Sequence, residues 1–333
     1  MKSKQSISIL AIFIFFILVA SSADSAEYKL KMQTYYSPTT ATGAKFFADQ
    51  VKKLTNGKVE IQIFTGGELV GSNNILKSVR SGMIDIGHGM GHHFTERKSG
   101  LIESGLPMAW MSATEAQILY DQRGLGELFA KDYNKLGVIY LGPTWAAPYN
   151  TLSKKPIRSL DDMRKMKIRA VGATAKMLTS LGVNCVTMPP EDIYLALTTG
   201  QIDGVVYGSA AEYKETKYYE AASWINVTPL IDPITDTLII NKNLWKKFPE
   251  QIREAFRAAA SMTRWHYYSW GENESLNVIE EIFKDKATRF PEADLQELTR
   301  AAAEIWEQEA QKSPEVKKVV DILKDFARAK GRM

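Results

Sequence analysis

The sequence predicts an α/β protein of two similar lobes, with a ligand cleft between them and a long helix spanning both. Three observations predict it. The stretches Tyr28–Gly87 and Lys167–Tyr207 each read strand, helix, strand, helix, strand, the order that builds a parallel sheet. The two stretches share a junction, because Ser81-Gly82-Met83-Ile84-Asp85-Ile86-Gly87 parallels Thr199-Gly200-Gln201-Ile202-Asp203-Gly204-Val205. In both, a helix ends at glycine, the expected left-handed cap, and an Ile-Asp pair precedes a strand. Third, the pattern stays helical from Pro249 to about Lys286. At 1.5 Å per residue those ~38 residues reach ~57 Å, enough to cross both lobes or lie along their backs.

The elements follow in order. Tyr28–Tyr36 alternates and is rich in strand formers. Ala44–Thr55 is amphipathic, with Phe47, Val51 and Leu54 on one side. After the Asn56-Gly57 turn come a strand over Lys58–Phe64, a helix over Ser72–Ser81 that Ser72 or Asn73 would cap, and a strand over Met83–Gly87. Ala113–Lys135 reads as helix and Gly137–Gly142 as strand. The second unit places strands at Lys167–Ala170, Asn184–Met188 and Gln201–Tyr207, with helices at Ala173–Leu181 and Glu191–Thr199. Strands at Trp224–Leu230 and Thr237–Ile240 flank Asp232-Pro233, and helices at Pro291–Gln311 and Pro314–Ala329 finish the chain. The chain is expected to cross between lobes near Tyr149 and near Pro233. This divides it into residues 27–148 plus 234–265 as one lobe and 149–233 plus 266–333 as the other.

Residues 1–26 read as a secretory signal peptide. Lys2 and Lys4 precede an unbroken apolar run from Ile9 to Ala20, and Ser21-Ser22-Ala23 offers a cleavage site. That run is short for a membrane span. The expected location is the periplasm. A single cysteine, Cys185, excludes an internal disulfide, so stability must come from the core. The net charge of +4 is scattered and does not argue for nucleic acid.

Ligands of open α/β sheets sit beyond the carboxyl ends of the strands. Arg169 and Tyr207 lie at such ends and should share one crevice. Tyr36, Trp145 and Tyr149 fall at the same edge, and Gly208, Ser209 and Asp236 complete the candidate set on the strand ends. An aromatic-walled pocket with one guanidinium selects a carboxylate with an apolar body. Gly87-His88-Gly89-Met90-Gly91-His92-His93 lacks both the GxGxxG register and a GK[ST] lysine. Its three glycines oppose a helix that would align His88 and His92 on a metal. It reads as a glycine-permitted loop at the cleft edge, bringing His88, His92 and Phe94 to the ligand. No HExxH, GxSxG or CxxC is present, and no cofactor or catalysis is indicated.

Pro156-Ile157-Arg158-Ser159-Leu160-Asp161-Asp162-Met163, Lys167-Ile168-Arg169, Pro189 to Leu197 and Gly200-Gln201-Ile202-Asp203-Gly204 carry a resemblance. Over nearly the whole mature length the chain resembles the periplasmic solute-binding subunits of tripartite ATP-independent (TRAP) transporters. The resemblance implies the two-lobe periplasmic binding protein fold, the same long helix, and an arginine at Arg169 that clamps a substrate carboxylate. It implies a TRAP-type membrane permease as partner; the receptor is expected to be a monomer. Some 2-oxo acid receptors of the family hold a metal through a Glu-Trp pair; here Val206-Tyr207 stands there, so no metal is expected. Dicarboxylate and sialic acid receptors resemble one another in a second arginine, where this chain has Pro148, and in an asparagine at Tyr207. The expected ligand is therefore a hydrophobic monocarboxylate, a 2-oxo or 2-hydroxy acid. A C4-dicarboxylate receptor, a sensor subunit and a secreted enzyme acting on a carboxylate are the alternatives.

Overall fold

The computed structural model describes residues 26–38, 40–188 and 192–333. The expected signal peptide, save its last residue, lies outside the described residues, as does the corner 189–191. None of the described helices is long and apolar enough to cross a membrane.

Among the described residues the strands are β1 (Tyr28–Thr34), β2 (Val59–Phe64), β3 (Ile86–Met90), β4 (Val138–Ala146), β5 (Thr151–Ser153) and β6 (Lys167–Arg169). They continue with β7 (Asn184–Val186), β8 (Gly204–Val206), β9 (Trp224–Asn226), β10 (Ile234–Asn241) and β11 (Ala287–Thr288). One sheet has the order β2-β1-β3-β10-β4 and the other β11-β9-β5-β8-β6-β7. Placing β6 on β1 makes the two orders coincide, with β11 added at one edge. In each sheet three parallel strands meet one antiparallel strand supplied by the other half of the chain: β10 beside β3, and β5 beside β8.

The shared junction has a shared geometry. Gly82 and Gly200 cap their helices in the left-handed conformation, at φ 81° and 78°. Ile84 and Ile202 are fully buried. Asp85 accepts the Lys31 N–H at 2.8 Å, and Asp203 accepts the Lys167 N–H at 2.9 Å. Each aspartate also donates its own N–H to the carbonyl of that lysine, at 3.0 and 2.8 Å. The carboxylate thus pins the helix exit to the neighbouring strand, at the middle of β1 in one lobe and at the start of β6 in the other.

The chain leaves the first sheet after β4 and enters the second at β5, through residues 147–150. It returns through residues 227–233, between β9 and β10. The fully buried Tyr213 ties the first crossing to the end of β8. Its hydroxyl donates to Asn150 O at 2.7 Å, while Asn150 N–H donates to Gly208 O at 2.9 Å.

The long helix runs over Glu250–Val278. Its 29 residues span ~44 Å. Phe256, Ala259 and Ala260 join the first lobe's core with Phe47 and Leu238. Val278 joins the second lobe's core with Ile225 and Tyr213. Beyond Val278 the expected helix changes register: a wider π-helical turn, Ile279–Phe283, buries Phe283, and a tight turn, Lys284–Lys286, ends it.

Other expectations need correction. The expected helix over 113–135 is two helices, Ala113–Gln117 and Leu125–Lys135, because Gly124 adopts φ 81° after a π-helical turn. Neither Ser72 nor Asn73 caps the following helix. Gly71 precedes a tight turn, Ser72–Asn74, that leads into Ile75–Ser81 without a side-chain cap.

Candidate functional site

The carboxyl ends of the strands border a cavity of about 620 Å³. Tyr35, Tyr36, Met90, His92 and His93 line it from the first lobe. Arg169, Val171, Val206, Tyr207, Glu212 and Glu215 line it from the second, and Tyr149 lines it from the first crossing.

Arg169 ends β6. Burial draws its pKa below the usual guanidinium value, against the pull of the tyrosines around it. Nε and Nη2 donate to Met188 O at 3.2 and 3.0 Å, and Nη1 donates to Val206 O at 3.3 Å. A guanidinium has five N–H donors. These bonds use three, leaving two among the described residues, the number a carboxylate accepts in a bidentate pair. The guanidinium carbon lies 5.8 Å from the Tyr207 ring centre. The arginine is therefore fixed by its own lobe before any ligand arrives.

The histidine segment differs from its expectation. Gly87, His88, Gly89 and Met90 are β3, not loop. The glycines serve close packing: a Cβ on Gly87 would lie 2.6 Å from Ile75, and one on Gly89 would lie 3.0 Å from Phe94. His88 is wholly buried, in hydrogen bonds with Thr34 (3.1 Å) and Thr144 (2.9 Å). Burial lowers its pKa to about 3, so it stays neutral. It lies beneath the cavity wall. His92 is on the wall, in a hydrogen bond with Ser104 at 3.1 Å. His93 also lines the cavity and accepts the Met90 N–H at Nδ1 (3.3 Å). This leaves Nε2 as its donor.

Two more candidates belong to the core. Phe94 is fully buried edge-on to Tyr133, under β3. Trp145 is fully buried within β4, against Trp265 and beneath the Arg264 guanidinium, whose carbon is 5.1 Å from its ring centre. Alternation would put positions 145 and 149 on one face, but β4 ends at Ala146, so Tyr149 in the crossing no longer follows the strand's pattern.

Asp236 sits one layer behind the wall. Tyr36 donates to its Oδ2 at 2.7 Å and Tyr35 to its Oδ1 at 2.9 Å. Gly208 and Ser209 position a neighbouring carboxylate, Glu212. Ser209 caps the helix Ala210–Glu215, and its N–H donates to Glu212 Oε2 at 2.8 Å. A Cβ on Gly208 would come within 2.6 Å of that oxygen, so glycine permits the approach. Ser209-x-x-Glu212 is a legible capping box. The box turns the Glu212 carboxylate back towards the cavity.

Burial raises both inner acids, Asp236 from 3.8 and Glu212 from 4.5, each to about 7. A raised carboxyl contributes stability below its ordinary pKa and loses it as pH rises through the folded value. Asp236→Asn should therefore gain on the unmutated protein as pH rises from 3.8 to about 7. At ~1.4 kcal/mol per unit the gain is a few kcal/mol. Urea denaturation of both proteins at the two ends of that window checks this; parallel pH profiles would contradict it.

The description Bacterial extracellular solute-binding protein, family 7, matches residues 32–313. The chain belongs to this family. As a family 7 protein it is a solute-binding receptor of the transport machinery. It is 26% identical over 298 residues to the monocarboxylate 2-oxoacid-binding periplasmic protein of Nostoc sp. PCC 7120, covering 86% of this chain and 80% of that one. It shares the fold of a TRAP periplasmic solute binding protein from Chromohalobacter salexigens with bound (S)-(+)-2-amino-1-propanol, at a TM-score of 0.78 and 24% identity, covering 91% and 96% of the two chains. An open, ligand-free TRAP periplasmic solute binding protein from Rhodobacter sphaeroides superposes at a TM-score of 0.80 with 22% identity, covering 92% and 99%.

Proposed function

We propose that this family 7 receptor captures a hydrophobic monocarboxylate, a 2-oxo or 2-hydroxy acid, in the periplasm and delivers it as a monomer to a TRAP-type membrane permease. One observation carries the ligand class: Arg169 is the single lysine or arginine among the described residues lining the cavity. A second carboxylate would enter against Glu212, Glu215 and tyrosine rings, at a cost of several kcal/mol. A monocarboxylate pairs with Arg169 and lays its body on Val206, Tyr149 and Tyr207. The 2-oxoacid named for the Nostoc relative agrees with this class. With Tyr36 and His92 of the first lobe closing on the same ligand, the ligand favours the closed state, and closure is a population shift. In this reading the cleft binds and releases its ligand without chemistry.

A thermal-shift panel tests the reading. Pyruvate, lactate, 2-oxoisocaproate or phenylpyruvate should stabilise the protein more than succinate, malate or fumarate; the reverse order would reject it. The same panel run with a chelator should give unchanged shifts. Val206 offers no donor atom to a hard cation, and both Asp236 oxygens already accept tyrosine hydroxyls.

A further inference from the structure

We propose that Glu212, with the Tyr35 and Tyr36 hydroxyl oxygens across the cleft, forms a second polar pole that binds a hydrogen-bond donor of the ligand, an amino or hydroxyl group, while Arg169 holds the carboxylate. The inference rests on the carboxylate reading above and adds what the other end of the ligand must carry.

The Tyr35 and Tyr36 hydroxyls donate to Asp236, which commits their hydrogens and leaves their oxygens as acceptors, and both residues line the cavity. Glu212 gives Oε2 to the Ser209 N–H, and Oε1 retains its lone pairs. Glu212 lines both the main cavity and a smaller one of about 170 Å³ beside it. That smaller space is walled by Tyr267 and Trp270 and bordered by Glu215 and Glu274, a setting of ring faces and carboxylates that suits an amine. Lys214 also borders it, but its Nζ is held by Glu281 at 2.6 Å. The Tyr149 and Tyr207 hydroxyls can donate or accept and do not discriminate. An acid with no donor leaves Glu212 unpartnered when the cleft closes, and an unpartnered buried acceptor is costly. A donor group meets Glu212 on one lobe and the tyrosines on the other, so it binds the closed state selectively.

Calorimetry on the whole receptor tests this with one carbon skeleton: hexanoate, 2-oxohexanoate, and hexanoates bearing a hydroxyl or an amino group at carbon 2 or carbon 6. At least one hydroxy or amino acid should bind about tenfold or more tighter than both hexanoate and 2-oxohexanoate. The two arms separate amine from hydroxyl, and the two positions locate the pole. Glu212→Gln removes the charge that an amine needs, and Glu212→Leu removes the acceptor that a hydroxyl needs. The advantage should vanish in the matching variant, and hexanoate should bind Glu212→Leu at least as tightly as the original, because no buried acceptor is then left unpartnered. Equal binding across the series, or an advantage that survives both variants, overturns the inference and leaves the carboxylate reading intact. Binding of no member of the series overturns both.

Discussion

Arg169→Ala should lose most ligand affinity. Truncating one partner of a bidentate guanidinium–carboxylate pair in a closed cleft costs roughly 3–5 kcal/mol, about a hundred- to several-thousand-fold in Kd. The geometry extends the expectation to Arg169→Lys. The guanidinium spans Met188 O and Val206 O and still has two donors among the described residues for a ligand. An ammonium has three donors on one atom and no planar fork, so it cannot bond both carbonyls and present a parallel pair. Both variants should also unfold somewhat earlier, because two carbonyls lose their donor. Calorimetric titration measures the affinity loss apart from the stability loss. An Arg169→Ala receptor with the Kd of the original would remove Arg169 from the site.

Trp145→Ala should do the opposite: it should destabilise the receptor and leave the intrinsic ligand contacts in place. Removing a fully buried tryptophan costs about 3–5 kcal/mol, part of it for the cavity left behind. Here Trp265 and the Arg264 guanidinium would face that cavity. The indole N–H has no partner among the described residues, so no hydrogen bond is lost to add to the cost. The melting temperature of the ligand-free protein should fall by several degrees, with Kd within about threefold of the original at a temperature where both proteins are folded. A variant of unchanged stability and much weaker binding would put Trp145 back on the cleft wall.

The two tests divide residues that looked alike in the sequence. Trp145 and Tyr149 are four positions apart and aromatic, yet Trp145, still within β4, is core, and Tyr149, in the crossing beyond it, lines the cavity. His88 and His92 are likewise four apart. His88 lies within β3, with a lobe's interior against its ring, and His92 lies just past the strand's end, where the interior stops. Asp236 carries a formal charge and reads as a ligand contact, but two tyrosine hydroxyls stand between it and the cavity. Glu212 was readable as the partner of Ser209 in a capping box. Its exposure to two cavities was not.

What the sequence alone determined was set by short-range rules. Glycine after a helical turn, period-two alternation and the Pro249 start fixed the two units, their shared junction and the long helix. The placement of Arg169 at a strand's carboxyl end followed from the general position of ligands in open sheets. The register of that helix beyond Val278, and the role of Asp85 and Asp203 as pins on the neighbouring strand, came only with the packed structure. So did the depth of each side chain behind the cleft wall. Both faces of a central strand are covered in an α/β lobe, so alternation separates one face from the other but does not measure distance from the ligand. That distance depends on what the second lobe and the crossing segments place against each face, and those contacts join residues far apart in the chain.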